Sequence, residues 1–384
     1  MITRANWCIA LAAIACFAAG VALSRRVEPG VRVEAVTLAG DTPSLRFLPA
    51  DPVPHPIALL AHGVTASKES LFRLGEALAA AGFVAFAVDL PGHGDSARLF
   101  SLGENARTLE GVARAVGSVD VFLGHSMGAY AGAEAVRAAG LSSRLFIAVG
   151  ALPDVGPHGP PLLLLTGRFD EAIALGRRGV ARPDTRLVLF SWCDHASEPY
   201  DPRLVNTAVE AACAAVGKPT PAAPTCWHWR LAGLVLGMLG ALSVALRLPA
   251  LPPRFAWARG LLVPIIVIAA LAFTTSTWFD ATPHLRRAPL QIAALAIALL
   301  AVMGAGRLRV PRWSFPAVAV AGAVDYVIVG AYFLAFLAAL FAMVLFAGTV
   351  LGWVAAHRGT RRDGDIAMAI LVGYALGQWI PRFL

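Results

Sequence analysis

A serine stands between two glycines in the run Gly124-His125-Ser126-Met127-Gly128, directly after an apolar stretch and before a run of small helix-forming residues. At a junction between a strand and a helix, such glycines permit a tight turn that exposes the serine Oγ above the sheet. The first amides of the helix then point toward the place where a carbonyl oxygen gains negative charge. The pattern predicts that Ser126 is a nucleophile.

A nucleophilic serine needs a general base, and the base needs a carboxylate that orients it. His195 follows the last strand predicted in this half of the chain, and Asp170 follows the strand before that. The order Ser, Asp, His therefore places each group beyond the carboxyl end of a strand, where parallel sheets gather functional residues. We predict a triad of Ser126, Asp170 and His195. The remaining candidates for the acid are Asp154, Glu171 and Asp194.

Acyl transfer also needs two amides that stabilise the developing oxyanion. In the stretch 61–70, Gly63 lets the chain turn sharply after a strand, so that the Val64 amide can face the same space as the Met127 amide. We therefore predict Val64 and Met127 as the oxyanion donors. The other polar residues of these turns are predicted to be hydrogen-bonding or solvated residues rather than bases: His62, His125, Lys68 and Glu69.

The elements that must position these residues alternate between strands and helices. Apolar runs without polar interruption are typical of parallel strands buried on both faces, and the hairpin pattern before residue 50 indicates an antiparallel edge. The predicted strands are 56–62, 83–90, 120–125, 144–150, 161–167 and 186–192, and the predicted helices are 69–81, 127–139 and 202–216.

Five segments, "AHGVTASKES", "VDLPGHGDS", "GHSMG", "LTGRFD" and "CDHASEP", resemble in this order the signature segments of the α/β-hydrolase superfamily of serine hydrolases. The resemblance covers about half of the chain. It implies a doubly wound, mostly parallel sheet, with Ser126, Asp170 and His195 as the triad and Val64 and Met127 as oxyanion donors. It also implies that Asp89 and His93 are structural residues of a loop near the site.

One departure from that pattern concerns the lid. Families of this type commonly insert a helix or a longer cover between the strands that end near 150 and begin near 161. Only "ALPDVGPHGP" lies there, so the sequence predicts no lid insertion. A site without its own cover is open to water and to large substrates.

Composition divides the chain into two regimes. Hydrophobic residues make up 58% of the 384 residues and charged residues only 15%, whereas soluble domains have about 45–50% and about 25%. We predict an N-terminal membrane anchor or signal peptide at 1–24, an α/β-hydrolase domain at 25–217, a Pro-rich linker at 218–229 and an all-α transmembrane domain of about six helices at 230–384.

The apolar runs of the C-terminal half have lengths near the roughly 20 residues that cross a bilayer. They lie at 231–248, 260–278, 288–306, 315–356 and 366–380, and the fourth is long enough for a hairpin that turns near Gly330. Most arginine clusters between them fall on one side, which is then cytoplasmic. This topology predicts a bacterial inner-membrane protein whose hydrolase domain is periplasmic.

The remaining sequence features exclude several classes of function. The net charge of +8 comes partly from arginines between apolar runs, so we predict contact with lipid and none with nucleic acid. The five cysteines have neither CxxC spacing nor histidines at metal-ligand spacing, and we predict neither a metal nor a cofactor. A bridge between Cys193 and Cys213 stays open.

Together these features predict a membrane-bound serine hydrolase that cleaves an ester, with lipid esters, thioesters and amides as candidate substrates. Two alternatives remain. One is a membrane acyltransferase that uses the same triad, and the other is a non-catalytic ligand-binding or receptor module. Protein partners are not predicted.

Overall fold

A computed structural model describes residues 4–170, 184–191, 193–222, 224–248, 256–277, 332–357 and 360–377. Contacts divide these residues into two compact units. The sheet unit comprises Val27–Trp227, and the helical unit comprises the N-terminal helix and the helices that follow residue 228.

The strands of the sheet unit form one eight-stranded sheet in the order β1-β2-β4-β3-β5-β6-β7-β8. They are β1 Val31–Leu38, β2 Thr42–Pro49, β3 Ile57–Ala61, β4 Val84–Val88, β5 Val121–His125, β6 Leu145–Val149, β7 Leu162–Gly167 and β8 Thr185–Phe190. The described helices are α1 Arg4–Ser24, α2 Phe72–Ala80, α3 Leu102–Val116, α4 Met127–Arg137, α5 Pro202–Ala215, α6 Cys226–Arg247, α7 Ala256–Thr275, α8 Tyr332–Ala356 and α9 Arg361–Gly377.

The sheet is parallel from β4 through β8, and β1 and β2 form an antiparallel hairpin at one edge. Every residue of β5 and β7 is buried, as the uninterrupted apolar runs of these strands require. The predicted α/β-hydrolase fold with a mostly parallel sheet is therefore confirmed.

Helix α3 is absent from the sequence prediction. Its buried face contains Leu109 and Val112 but also Asn105 and Thr108, so polar residues interrupt the apolar spacing. The helix connects β4 to β5. These strands run parallel on opposite sides of β3, and parallel strands need a crossover connection of this kind.

The parallel strands bring their carboxyl ends to one edge of the sheet. Ala61 pairs with Gly124, and His125 pairs with Val149, so that the chain leaves β3, β5 and β6 at nearly the same level. The loops after these three strands, and those after β7 and β8, consequently meet above this edge.

In the helical unit, glycines allow α1 and α6 to approach closely. A Cβ atom added at Gly233 would lie 2.6 Å from the Gly20 carbonyl oxygen, and one added at Gly240 would lie 2.6 Å from the Ala13 carbonyl oxygen. Glycine removes the steric limit on backbone approach between apolar helices. The contact makes α1 part of this unit.

A buried arginine joins two other helices of the same unit. Arg259, on α7, donates from Nε to the Ala355 carbonyl oxygen at 2.8 Å and from its terminal nitrogens to the carbonyls of Leu248 and Val354. These carbonyls lie at the C-terminal ends of α6 and α8, where helices leave acceptors unpaired. Arg259 thereby satisfies two helix ends with one side chain.

Two helices among the described residues, Cys226–Arg247 and Ala258–Thr275, are long and apolar enough to cross a membrane. Core helices of soluble proteins can have the same length and composition, so this finding only weakly suggests a transmembrane domain. The predicted span at 288–306 and the first part of the predicted hairpin at 315–356 lie outside the described residues. The five cysteines are unbridged, including Cys193 and Cys213.

Candidate active site

The turn between β5 and α4 holds Ser126 in a strained conformation. Its backbone has φ 50° and ψ −118°, and its amide donates to the Val149 carbonyl oxygen at 2.8 Å. A non-glycine residue at positive φ is costly, and it persists where the surrounding structure enforces it. The close approach of strand and helix around the turn requires glycine at 124 and 128.

The second of these glycines provides a stability test. A Cβ atom at Gly128 would lie 2.3 Å from the Ala61 carbonyl oxygen, whereas one at Gly103 on α3 would meet nothing within 4 Å. We expect Gly128→Ala to destabilise the protein by about 2 kcal/mol or more, and Gly103→Ala to stabilise it by roughly 0.5 kcal/mol. Chemical denaturation of the two variants measures the difference, and equal stabilities would contradict the packing at Gly128.

The structure brings the three predicted triad residues together. His195 Nε2 lies 2.9 Å from Ser126 Oγ, and His195 Nδ1 lies 3.0 Å from Asp170 Oδ2. Asp170 is fully buried, whereas His195 is partly exposed. This chain of hydrogen bonds has the geometry in which an imidazole can accept the serine proton while a carboxylate stabilises the imidazolium.

Two of the alternative acids are engaged elsewhere. Asp194 Oδ1 accepts hydrogen bonds from the backbone amide and the hydroxyl of Ser197, and Asp154 Oδ1 accepts one from the Gly156 amide at an exposed position. The third alternative, Glu171, lies outside the described residues. Of the four candidate acids, three are described by the structure, and Asp170 is the one of these that contacts His195.

One predicted oxyanion donor, Val64, lies in the loop after β3, and the other, Met127, directly follows Ser126 at the start of α4. A Cβ atom at Gly63 would lie 3.1 Å from Ser126 Cβ, so the backbone that leads into Val64 passes directly against the serine. Met127 is the first residue of α4, and its amide has no acceptor within the helix. Both amides are therefore candidates for the oxyanion site.

Two buried histidines shape these loops. His62 Nδ1 donates to the Gly63 carbonyl oxygen at 2.7 Å, and His62 Nε2 accepts from the Leu90 amide at 3.1 Å. His125 Nε2 donates to the His195 carbonyl oxygen at 3.0 Å. Burial, together with the neighbouring His195, lowers the pKa of His125 to about 3, and burial also holds the pKa of His62 well below its ordinary value. Both rings are neutral supports of the turns.

Lys68 contradicts the expectation of a solvated residue. It is 3% exposed, and its Nζ donates to Asp89 Oδ2 at 2.7 Å and to Asp95 Oδ2 at 2.9 Å. The Lys68 amide donates to Asp89 Oδ1 as well. This ion pair joins the loop after β3 to the loop after β4, which gives Asp89 the structural role that the resemblance implies.

Sequence reasoning did not single out Glu198. This fully buried glutamate lies on a 3₁₀ turn, Glu198–Tyr200, and its Oε2 is 3.9 Å from His195 Nδ1. Among the residues that the structure describes, atoms of His125, His195 and Glu198 lie within 4.8 Å of one another, close enough to hold a metal ion. The ring nitrogens involved are already bonded to Asp170 and to the backbone, so we assign this cluster to the triad.

The approach to Ser126 passes by loops without regular structure. The described residues 151–161 contain no helix or strand, and Val64 is 45% exposed. The short connection between β6 and β7 is consistent with the predicted lack of a lid insertion at this position.

The strand order, the turn at Ser126 and the loops that hold Asp170 and His195 define the sheet unit as an α/β-hydrolase fold. Residues 52–189 match the model of the Hydrolase_4 family, which is described as serine aminopeptidase, S33. This match and the topology support the α/β-hydrolase superfamily and a hydrolase activity for the unit. No curated protein sequence matches the chain.

Solved structures with similar folds include a dienelactone hydrolase from Anabaena variabilis, which is 21% identical, with a TM-score of 0.40 over 48% of this chain and 95% of its own. Est1E from Butyrivibrio proteoclasticus, solved with ferulic acid, is 16% identical, with a TM-score of 0.41 over 48% of this chain and 100% of its own. A monoacylglycerol lipase from Paleococcus ferrophilus is 16% identical, with a TM-score of 0.38 over 45% and 98% of the two chains.

Proposed function

We propose that the protein is a membrane-bound serine hydrolase that cleaves a carboxylic ester through a triad of Ser126, His195 and Asp170. The observation that carries the proposal is the continuous chain of contacts from Ser126 Oγ through both nitrogens of His195 to the buried Asp170. A ligand-binding module has no need for this arrangement on a strained turn.

The reaction begins when Ser126 Oγ attacks the ester carbonyl carbon and its proton passes to His195 Nε2. The Val64 and Met127 amides stabilise the oxyanion of the tetrahedral intermediate, and Asp170 stabilises the imidazolium. His195 then gives the proton to the departing alkoxide, which leaves as an alcohol. Water, deprotonated by His195, then attacks the acyl carbon; the bond to Ser126 Oγ breaks, His195 returns the proton to Oγ, and the carboxylic acid is released.

The substrate class is an ester of low polarity, with a lipid ester as the first choice. Two features support it: the loop between β6 and β7 is short, so bulky substrates can approach, and the chain contains helices that are long and apolar enough for a bilayer. Thioesters and amides also contain a carbonyl that a serine can attack, so they should be assayed as substrates together with the esters.

A fluorophosphonate probe tests the proposal on the full chain in membranes. We expect covalent labelling of Ser126, identified by mass spectrometry of the labelled peptide, and competition by short-chain and long-chain esters. If folded protein takes up no probe, the alternative of a non-catalytic ligand-binding module is favoured. Formation of a new ester or amide when an alcohol or amine acceptor is added would instead identify an acyltransferase.

We further propose that α1 is retained as an anchor and that the sheet unit lies outside the cytoplasm. The glycine contacts between α1 and α6 support retention, because cleavage would expose this face of α6. Intact-mass measurement of the mature protein tests retention. Labelling of intact cells by a membrane-impermeant probe tests the side, and labelling only after lysis would overturn the periplasmic placement.

A further inference from the structure

Glu198 forms part of a buried cluster of polar groups beneath the triad. Its Oε1 accepts a hydrogen bond from the Gly167 amide at 2.7 Å. Its Oε2 lies 3.6 Å from His125 Nε2 and 3.9 Å from His195 Nδ1. The side chain has no exposed surface.

Oε2 of Glu198 has no hydrogen-bond donor among the residues that the structure describes. His125 Nε2 donates to the His195 carbonyl, and His195 Nδ1 faces Asp170. A Cβ atom added at Gly150 would lie 2.1 Å from Glu198 Oε2 and 2.9 Å from Asp170 Oδ2. The two carboxyl groups therefore share the space that a side chain at residue 150 would occupy. Apart from the Gly167 amide, the polar neighbours of the Glu198 carboxyl are the Thr166 hydroxyl, which donates to Asp170 Oδ2 at 3.2 Å, and the Asp170 carboxylate, a second acceptor.

Two buried carboxyl groups whose oxygens lie 2.1 Å and 2.9 Å from one point do not both ionise. Burial raises the pKa of Glu198 well above its ordinary value of 4.5, and the charge of Asp170 raises it further, against the opposing effect of hydrogen bonds from the Gly167 amide and the Thr166 hydroxyl. The charge on Asp170 is the one with a partner, since it faces His195 Nδ1 and accepts from Thr166 Oγ1 at 3.2 Å. The shared proton accordingly belongs to Glu198.

We propose that Glu198 is a positioning residue for catalysis, a neutral carboxylic acid whose Oε2–H donates to the Asp170 carboxylate. The proposal rests on the proposed serine hydrolase function. The Gly167 amide holds one oxygen of Glu198, and the proton on the other oxygen holds Asp170 in line with His195 Nδ1. Glu198 thus acts on the reaction through Asp170 and has no contact with substrate.

The alternative is an ionised Glu198 that serves as a second acid for His195. The titratable groups that face it are Asp170, His195, the neutral His125 and the Cys193 thiol, whose pKa burial raises to about 12. None of them except the catalytic imidazole can offer a positive charge. An ionised Glu198 beside an ionised Asp170 would have the Gly167 amide but no positive charge to compensate it in the resting enzyme.

Substitution of Glu198 by glutamine and by leucine distinguishes a neutral Glu198 from an ionised one. Glu198→Gln keeps an acceptor for the Gly167 amide and an N–H donor for Asp170, whereas Glu198→Leu fills the volume without either group. We expect Glu198→Leu to lower the rate of fluorophosphonate labelling by about tenfold to a hundredfold, which is the effect of losing one hydrogen bond to a charged group. Glu198→Gln should restore the rate to within about threefold, with an unchanged midpoint in the pH profile.

The outcomes that overturn the proposal are distinct from failure of the proposed function. If Glu198→Gln is as slow as Glu198→Leu and its pH midpoint moves down, then an ionised Glu198 supports the imidazolium and the inference is wrong. Wild-type labelling of Glu198→Leu overturns it as well. If Ser126→Ala still takes up the probe, the hydrolase proposal itself fails. If Glu198→Leu does not fold, the labelling rate and pH midpoint of Glu198→Gln relative to wild type still distinguish the neutral from the ionised state of Glu198.

Thermal stability gives a second test that does not depend on activity. Because the pKa of Glu198 is raised in the folded state, the folded chain retains a proton that the unfolded chain releases above pH 4.5. The stability from this proton is fully present below that pH and is lost as pH rises through the folded-state pKa. Since glutamine does not titrate, we expect the Tm of Glu198→Gln to rise relative to wild type from about pH 5 to about pH 8. A constant difference would mean that Glu198 is ionised in the folded protein.

Discussion

Replacing Ser126 by alanine is expected to lower the rate of ester hydrolysis by about 10⁴-fold or more and to abolish fluorophosphonate labelling. The alanine removes the Oγ atom that His195 Nε2 contacts at 2.9 Å. It keeps the hydrogen bond from the amide of residue 126 to the Val149 carbonyl oxygen. The remaining activity would come from the oxyanion donors alone. Initial rates on an ester and gel detection of the probe measure the two effects.

Ser197→Ala is the matched control for this substitution. Ser197 also carries a hydroxyl in the catalytic loop, but its Oγ bonds to Asp194 and has no contact with Ser126. The control variant should keep its labelling by the probe. If Ser126→Ala retains more than a few per cent of wild-type hydrolysis, another residue is the nucleophile.

Replacing Asp170 by asparagine is expected to lower kcat by about 10⁴-fold with little change in folding. The carboxylate accepts from His195 Nδ1 at 3.0 Å, whereas an amide can present its N–H₂ group there and stabilise the wrong tautomer of the ring. The serine would then face a protonated nitrogen that cannot accept its proton. Steady-state kinetics together with circular dichroism separate this catalytic loss from unfolding.

Asp154→Asn is the control, because Asp154 is an exposed acid in the loop after β6 whose side chain accepts a hydrogen bond from the Gly156 amide. We expect its kcat to stay within about twofold of wild type, as for most surface substitutions. A normal rate for Asp170→Asn, or a large loss for Asp154→Asn, would assign the acid to a different residue.

The elements of the sheet were predictable because each parallel strand is a short, continuous apolar run with turn residues at both ends. The residues "VFLGH" and "LLLLTG" contain almost no polar interruption, and both strands are buried along their whole length. The candidate triad followed from this pattern, since its members lie at or just after the carboxyl ends of such strands.

Residues that act through long-range contacts could not be predicted in the same way. Lys68 has the sequence context of a solvated helix start, and only the approach of Asp89, 21 residues later, makes it a buried ion pair. Glu198 is one of several acids in the catalytic loop, and its burial depends on contacts with Gly167 and Asp170. Helix α3 was missed because Asn105 and Thr108 lie on its buried face, where periodicity requires apolar residues.

Under the proposed function, the positive φ angle of Ser126 lowers the stability of the folded chain at the residue that supplies the nucleophile. Glycine would adopt φ 50° without strain, and a sequence selected for folding alone would place it there. Strain of this kind costs about 1–3 kcal/mol. Under the proposed function, this loss of stability is the cost of presenting the Ser126 hydroxyl to the substrate.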